Sequence, residues 1–425
     1  MNIVMTSRGS RGDVHPIIEI ASALKREGHR IVLCVPKSFE NKLKDSNDEY
    51  SLYSEDSGQM MHGLGSGLKA IQTALDWFAS SINEQFEFML KETKHADVLV
   101  TSVNEVAAPS VAEYRNIPHF RIGYTPVLPG YQPPPLIPWQ GLPGFANMSL
   151  WHIINAGTGL FIKKHLNIKR MELGLEPMPG TGKYFTSRSH TILSINSTLA
   201  PPCPSWVKKY SYSYTGYCYG DIDGSLEPEL VRFLEQGPPP VYVGFGSVIV
   251  KNPVEFTRII LEAAGLAGCR VVIGAGWTGL GGRILPDYVQ AVGDTNHATL
   301  FPLCAGIAHH GGCGTTHTAA RAGVPQFIMP QIADQYYWGH RTHRLGLGPA
   351  PLAPGKVTPR ILSRIFTELC SNPHYASKAR ALGREMRFEN GIPAAVSIIT
   401  LRAGGSAEVR DPEPSSKKIK QVITR

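Results

Sequence analysis

No apolar run in this chain reaches the 18 or so residues that a bilayer-spanning helix needs, so nothing in it predicts a membrane span. Cysteine is sparse. There are seven, an odd number with no close pair and no metal-ligand spacing, which argues against a disulfide framework or a zinc site and predicts free thiols in a reducing compartment. Charged residues are only 18% of the chain, and no stretch combines dense Lys and Arg with interleaved aromatics, so the net charge of +8 carries no nucleic-acid signature. The main basic cluster, Lys417-Lys418-Ile419-Lys420, sits in a polar tail and reads as a solvated end. No leader is expected, since Met1 to Thr6 already reads as a strand and the first charge, Arg8, follows it. A cytoplasmic chain is expected, with the sequons at Asn147 and Asn196 unused.

What is present is alternation. At 425 residues the chain exceeds one hydrophobic core, and two domains of about 200 residues are expected. The first half begins strand (2–6), glycine loop (7–12), helix (14–27), strand (30–35), and continues with a strand at 97–101, a helix near 106–114 and a strand at 119–122. A proline-rich loop with Tyr131 and Trp139 fills 125–144. The apolar helix expected at 145–166, with Trp151, reads as core or acceptor-pocket packing in preference to membrane contact. A second alternating pattern starts at Val241. The fold class is therefore α/β, two doubly wound Rossmann-like domains facing a cleft, divided as 1–205, a connection at 206–228, 229–403, and a disordered tail at 404–425.

The most informative segment is His309-His310-Gly311-Gly312-Cys313-Gly314-Thr315, between a buried-strand pattern and a helix expected at 315–322. Glycines let backbone approach a ligand, and free N–H groups at a helix start favour a phosphate. An ordinary glycine turn is the plain alternative. One strand later comes Asp334-Gln335, placed to cap the next helix.

The run from about His297 to Pro349, together with Gly9-Ser10-Arg11-Gly12-Asp13-Val14 and the Gly246-Ser247 turn, resembles the nucleotide-sugar-dependent glycosyltransferases of the GT-B fold. It is most similar to the sterol glucosyltransferases and the bacterial enzymes acting on glycopeptide and polyketide aglycones. The resemblance implies an inverting transfer, needing no bound metal or cofactor, from a nucleotide sugar to a hydrophobic acceptor. By matching motif positions, the donor diphosphate is expected at His310, Gly312, Cys313, Gly314, Thr315, Gly246 and Ser247, with Ser10 and Arg11 contributing from the opposite domain. Asp334 and Gln335 would hold the sugar. Trp277, His297, Leu300 and Phe301 would wall the nucleobase, with Thr299 where the sterol enzymes often carry tryptophan.

Asp13 is the expected base, its alternative being a helix cap before Val14; Asp334 is the second candidate base. Tyr124, Tyr131, Trp139 and Trp151 are candidate acceptor contacts. Cys313 reads as a small filler in preference to a thiol of lowered pKa, and His309, His317 and His340 as structural. The expected partners are a UDP- or dTDP-sugar and an apolar alcohol, with at most weak contact to a membrane surface. A nucleotide-sugar epimerase and a silent binding protein of the same fold are the rival readings.

Overall fold

The computed structural model describes residues 1–44, 49–53, 68–220, 224–246, 248, 250–276, 279–282 and 284–405. Its strands read as continuous apolar runs because parallel strands in a helix-covered sheet are buried on both faces. β1 (Asn2–Thr6), β2 (Arg30–Pro36), β3 (Glu49–Tyr53), β4 (Val98–Ser102), β5 (His119–Gly123), β6 (Ser189–Leu193) and β7 (Tyr212–Tyr214) form one parallel sheet in the order β3-β2-β1-β4-β5-β6-β7. β8 (Val241–Gly244), β9 (Val271–Gly274), β10 (Val289–Val292), β11 (Gly306–His309) and β12 (Gln326–Ile328) form a second, in the order β10-β9-β8-β11-β12.

The longer helices are α1 (Arg11–Arg26), α2 (Leu68–Glu92), α3 (Ala108–Arg115), α4 (Gly144–Glu172), α5 (Pro253–Ala267), α6 (Cys313–Ala322), α7 (Gln335–Arg344), α8 (Pro359–Ser371), α9 (Pro373–Met386) and α10 (Gly391–Ala403). Three begin with a cap followed by proline. Asn252, Thr358 and Asn372 accept first-turn N–H groups, and the proline after each has no N–H to leave unpaired.

Strand order places the ligand site. In each sheet the order reverses beside a central strand: β1 lies between β2 and β4, and β8 between β9 and β11. Loops leaving the carboxyl ends of such neighbours diverge to opposite faces and open a crevice. In the first sheet the loops after β1 and β4 carry Gly9 to Asp13 and Asn104. In the second, the loops after β8 and β11 carry Gly246 and His310 to Gly312.

The two halves are joined by more than the connecting chain. α10 packs against α1, and Ala395, Val396 and Ile399 share a core with Ile17, Ile18 and Ile20. The Asn196 N–H donates to His317 Nε2 at 3.1 Å, and Arg341 donates to the carbonyls of Leu199 and Thr198. His317, stacked on Tyr217, is thus a joint between the sheets.

Three expectations are corrected. The first helix begins at Arg11, not at 14, because Ser10 is its N-cap. The stretch expected as connection at 206–228 includes β7 and the fully buried Trp206, which belong to the first sheet and its core. The apolar helix is longer than expected, and only one stripe of it, Trp151, Ile162, Leu166 and Arg170 among others, is buried. Residues 406–425 of the expected tail lie outside the described residues.

Candidate active site

Asp13 stands at the third position of α1, not at its cap. Its Oδ2 accepts the Ser10 N–H at 2.9 Å, the bond a capping box sends back to the cap residue, and also the Ser10 hydroxyl at 3.0 Å. Oδ1 accepts Asn104 Nδ2–H at 3.2 Å, so the loop after β4 fixes the far side of the carboxylate. The Asp13 carbonyl accepts the Tyr124 hydroxyl and the Ser7 hydroxyl, each at 3.0 Å. Gly9 (φ +123°) is required by this packing, because a Cβ there would lie 2.5 Å from Asp13 Oδ2. Burial raises the Asp13 carboxyl above its usual range, against the pull of the Ser10 and Asn104 donors.

Opposite stands Asp334. Ala333 turns the chain with φ +50°, a conformation that non-glycine residues avoid and that gathers at functional sites. Trp338 Nε1–H donates to Asp334 Oδ2 at 3.0 Å. Burial, and then the charge of Asp13, push the Asp334 carboxyl up to about 7. Two carboxyls from different sheets therefore sense each other across the crevice.

Between them α6 presents its first turn. Gly312 is its N-cap and Gly311 (φ +93°) makes the bend, where a Cβ would lie 2.6 Å from Ile328 Cγ2. The N–H groups of Cys313, Gly314 and Thr315 open this helix and have no carbonyl within it to bind. With the helix dipole they form an anion seat. Gly314 also leaves room for the Tyr217 hydroxyl, which a Cβ would approach to 2.7 Å. His310 closes one side. Burial and then His297 lower its ring to about 4, against the pull of the Gly244 backbone, so it is neutral at pH 7. Its Nδ1 is buried and has no partner among the described residues. Gly246 (φ +57°) lies against this ring, a Cβ there being 3.2 Å from His310 Cε1.

Several residues expected to contact the donor already have partners within the protein. Ser10 directs both its donors at Asp13. Arg11 reaches across to Asp294 at 2.7 Å and so pairs with a carboxylate. Leu300 and Phe301 are fully buried in a core with Tyr242 and Ile307, and His297 stacks on Phe301 at 4.6 Å; these three are packing residues before they are a nucleobase wall. Gln335 is buried, its Oε1 accepting the N–H groups of Gln331 and Ile332, so it braces the turn that carries Asp334. Cys313 is buried beside His317, and burial raises its thiol well above the usual value, as a filler requires. His309 is buried between Gln326 and the Gly311 N–H.

Of the acceptor candidates only Tyr124 touches Asp13. Trp151 is buried with its Nε1–H on the Gln132 carbonyl, and Tyr131 and Trp139 face solvent. Ser247 and Trp277 lie outside the described residues. So do Asp221 and Asp223, an Asp-x-Asp pair present in the sequence that the expectation of a metal-free site passed over. Asn104, Trp338, Ala333 and Asp294 were not singled out from sequence. Only the loop positions of Asn104 and Asp294 after strands could have flagged them.

Family models match both halves: the glycosyltransferase family 28 N-terminal domain over residues 3–126, and the erythromycin biosynthesis protein CIII-like C-terminal domain over 261–399. Glycosyltransferase GtfE of Amycolatopsis orientalis is 30% identical over 414 residues, covering 95% of this chain and 98% of the relative. The chain belongs to the GT-B glycosyltransferases. This glycosyltransferase is also 29% identical over 432 residues to the sterol 3-beta-glucosyltransferase of Yarrowia lipolytica, covering 94% of the chain but 28% of that much longer relative. The solved glycotransferase of kitacinnamycin superposes with a TM-score of 0.75 at 20% identity, covering 95% of this chain and 98% of the other, which establishes the same two-sheet fold. The enzyme transfers sugar.

Proposed function

We propose that this glycosyltransferase moves a hexose, glucose from UDP-glucose, to a hydroxyl of a hydrophobic acceptor such as a sterol, terpenoid or polyketide aglycone. The observation that carries the reading is the pair Asp13 and Asp334, one from each sheet, flanking the first turn of α6. A diphosphate seated on that turn, between the Gly311 bend and the neutral His310, directs its sugar toward both carboxyls. His310 donates to a phosphate oxygen after a change of tautomer or the uptake of a proton.

Asp13 takes the proton of the acceptor hydroxyl as its oxygen attacks the anomeric carbon from the face opposite the diphosphate. The anomeric carbon–oxygen bond to the diphosphate breaks, its electron pair leaves with UDP, and an α-linked donor yields a β-glycoside. A carboxyl raised above its usual range by burial is a stronger base than one in water, and the Asn104 and Ser10 bonds hold it in one orientation. Asp334 holds sugar hydroxyls. The acceptor class follows the names of the relatives and the apolar ring of Tyr124 beside Asp13.

The test is transfer from UDP- and dTDP-hexoses to a panel of apolar alcohols, with Asp13→Asn beside the native enzyme. Glycoside formation is expected to fall by about 10²- to 10⁴-fold in the variant, with donor binding retained. An undiminished rate would move the base to Asp334. Nucleotide release without any acceptor would sink transfer altogether.

A further inference from the structure

The proposed chemistry leaves one surface unexplained. Between Glu113 and Glu172 the chain has no carboxylate, and from Ile122 to Ile162 it has no charged side chain at all. A solvated surface of that length normally carries both signs of charge. Here the segment exposes large apolar groups instead: Leu160 is 82% exposed, Phe145 75%, Ile153 66% and Trp139 63%.

The exposure is ordered, not a frayed edge. On α4, Ile153, Leu160, Lys164, Ile168 and Met171 recur at helical spacing and share one stripe. The opposite stripe, through Ile162 and Leu166, is locked into a core with Met178 and Tyr184. The loop before α4 is tied as firmly. Asn147 Nδ2–H donates to the Tyr131 and Leu142 carbonyls, Gln140 to those of Pro134 and Ile137, and Trp151 to that of Gln132, so Leu136 and Trp139 are held outward. Beside the stripe, Asn155, Gly159, Lys163, Lys164 and Thr181 line a groove of about 570 Å³, with both ammonium groups in solvent.

An apolar face with an outward tryptophan, bordered by lysines and built from a segment without carboxylates, matches an anionic bilayer in both layers of its chemistry. Acyl chains meet Phe145, Ile153 and Leu160, and phosphate headgroups meet Lys163 and Lys164. Among the described residues no helix is long and apolar enough to cross a membrane, so the contact is interfacial. We propose that this face, α4 with the 131–142 loop, docks the enzyme on anionic lipid membranes. The loop starts at Tyr124, whose hydroxyl is bonded to Asp13, so docking sets the crevice beside the lipid phase.

The test is sedimentation of the full chain with phosphatidylcholine vesicles, with and without about a third phosphatidylglycerol, at low and high salt. Binding is expected with the anionic vesicles and is weakened by salt. Lys163→Glu with Lys164→Glu is expected to weaken it roughly thirtyfold or more, from about fivefold for each lysine charge lost. Leu160→Asp with Phe145→Asp is expected to abolish it. All four side chains are exposed, so unchanged thermal unfolding certifies the fold, and unchanged transfer to a water-soluble acceptor separates failure of docking from failure of the transfer reading. The proposal is overturned if the chain stays unbound on anionic vesicles, or binds equally well in both variants. It is overturned too if equilibrium sedimentation reveals a dimer that Leu160→Asp dissociates, since a second copy would then cover the face.

Discussion

Replacing Asp334 by asparagine should make the enzyme more stable, and only at high pH. Burial and the facing Asp13 keep the Asp334 carboxyl protonated up to about 7, whereas its ordinary value is 3.8. Between these limits folding takes up a proton, so the contribution of this group to stability falls as pH rises from about 4 to 7 and stays low above that. A separation of roughly three pH units at about 1.4 kcal/mol each gives about 4 kcal/mol as a ceiling. Water in an open crevice screens part of it, leaving about 2 kcal/mol. The substituted amide keeps a carbonyl oxygen for Trp338 Nε1–H and carries no charge, so nothing offsets the gain. Urea unfolding of both proteins at pH 4, 6 and 8 is the assay. The variant should match the native enzyme at pH 4 and exceed it by about 2 kcal/mol at pH 8. Repeating the pair in an Asp13→Asn background should shrink the difference, because the facing charge is then absent. A difference independent of pH, or a variant less stable at pH 8, would refute the reasoning. Activity should fall in the same variant, as expected when a strained group serves the reaction.

Two further outcomes follow from the same geometry. Gly312→Ala sets a Cβ 2.5 Å from His310 Nε2 and must displace the ring; donor dissociation constants measured by calorimetry should rise about tenfold with unfolding little changed, the scale of one lost charge-assisted hydrogen bond. Arg11→Ala removes an exposed pair with Asp294 that contributes about 1 kcal/mol or less. Thermal unfolding should barely move, and the salt dependence of donor KM should stay as in the native enzyme; a steepened or flattened dependence would return Arg11 to the diphosphate.

Local chemistry was legible where a residue's role depends on its neighbours in sequence. The Gly9–Asp13 and Gly311–Thr315 loops read as strand-to-helix turns because glycine alone tolerates the φ values at Gly9 and Gly311. The parallel strands read as apolar runs, and the two-sheet plan followed from the alternation, though β7 lay in the stretch expected as connection. Roles set by side-chain destination did not read. Leu300 and Phe301 belong to the family motif, and only the fold sends them into the core with Tyr242. Ser10 and Arg11 lie in the motif loop, yet one bonds Asp13 and the other crosses to Asp294. The same limit applies to α4: an apolar pattern announces a face that avoids water, without saying whether protein covers it.

By itself, then, the order of residues determined two alternating α/β halves and the glycine turns that open their helices, because backbone conformation is decided within a few residues. The tertiary structure decided that Asp13 and Asp334 face each other, that His310 is neutral, and that the carboxylate-free segment lies on the outside. Those properties depend on distance and solvent access between groups hundreds of residues apart, and only the packing of the two sheets sets them.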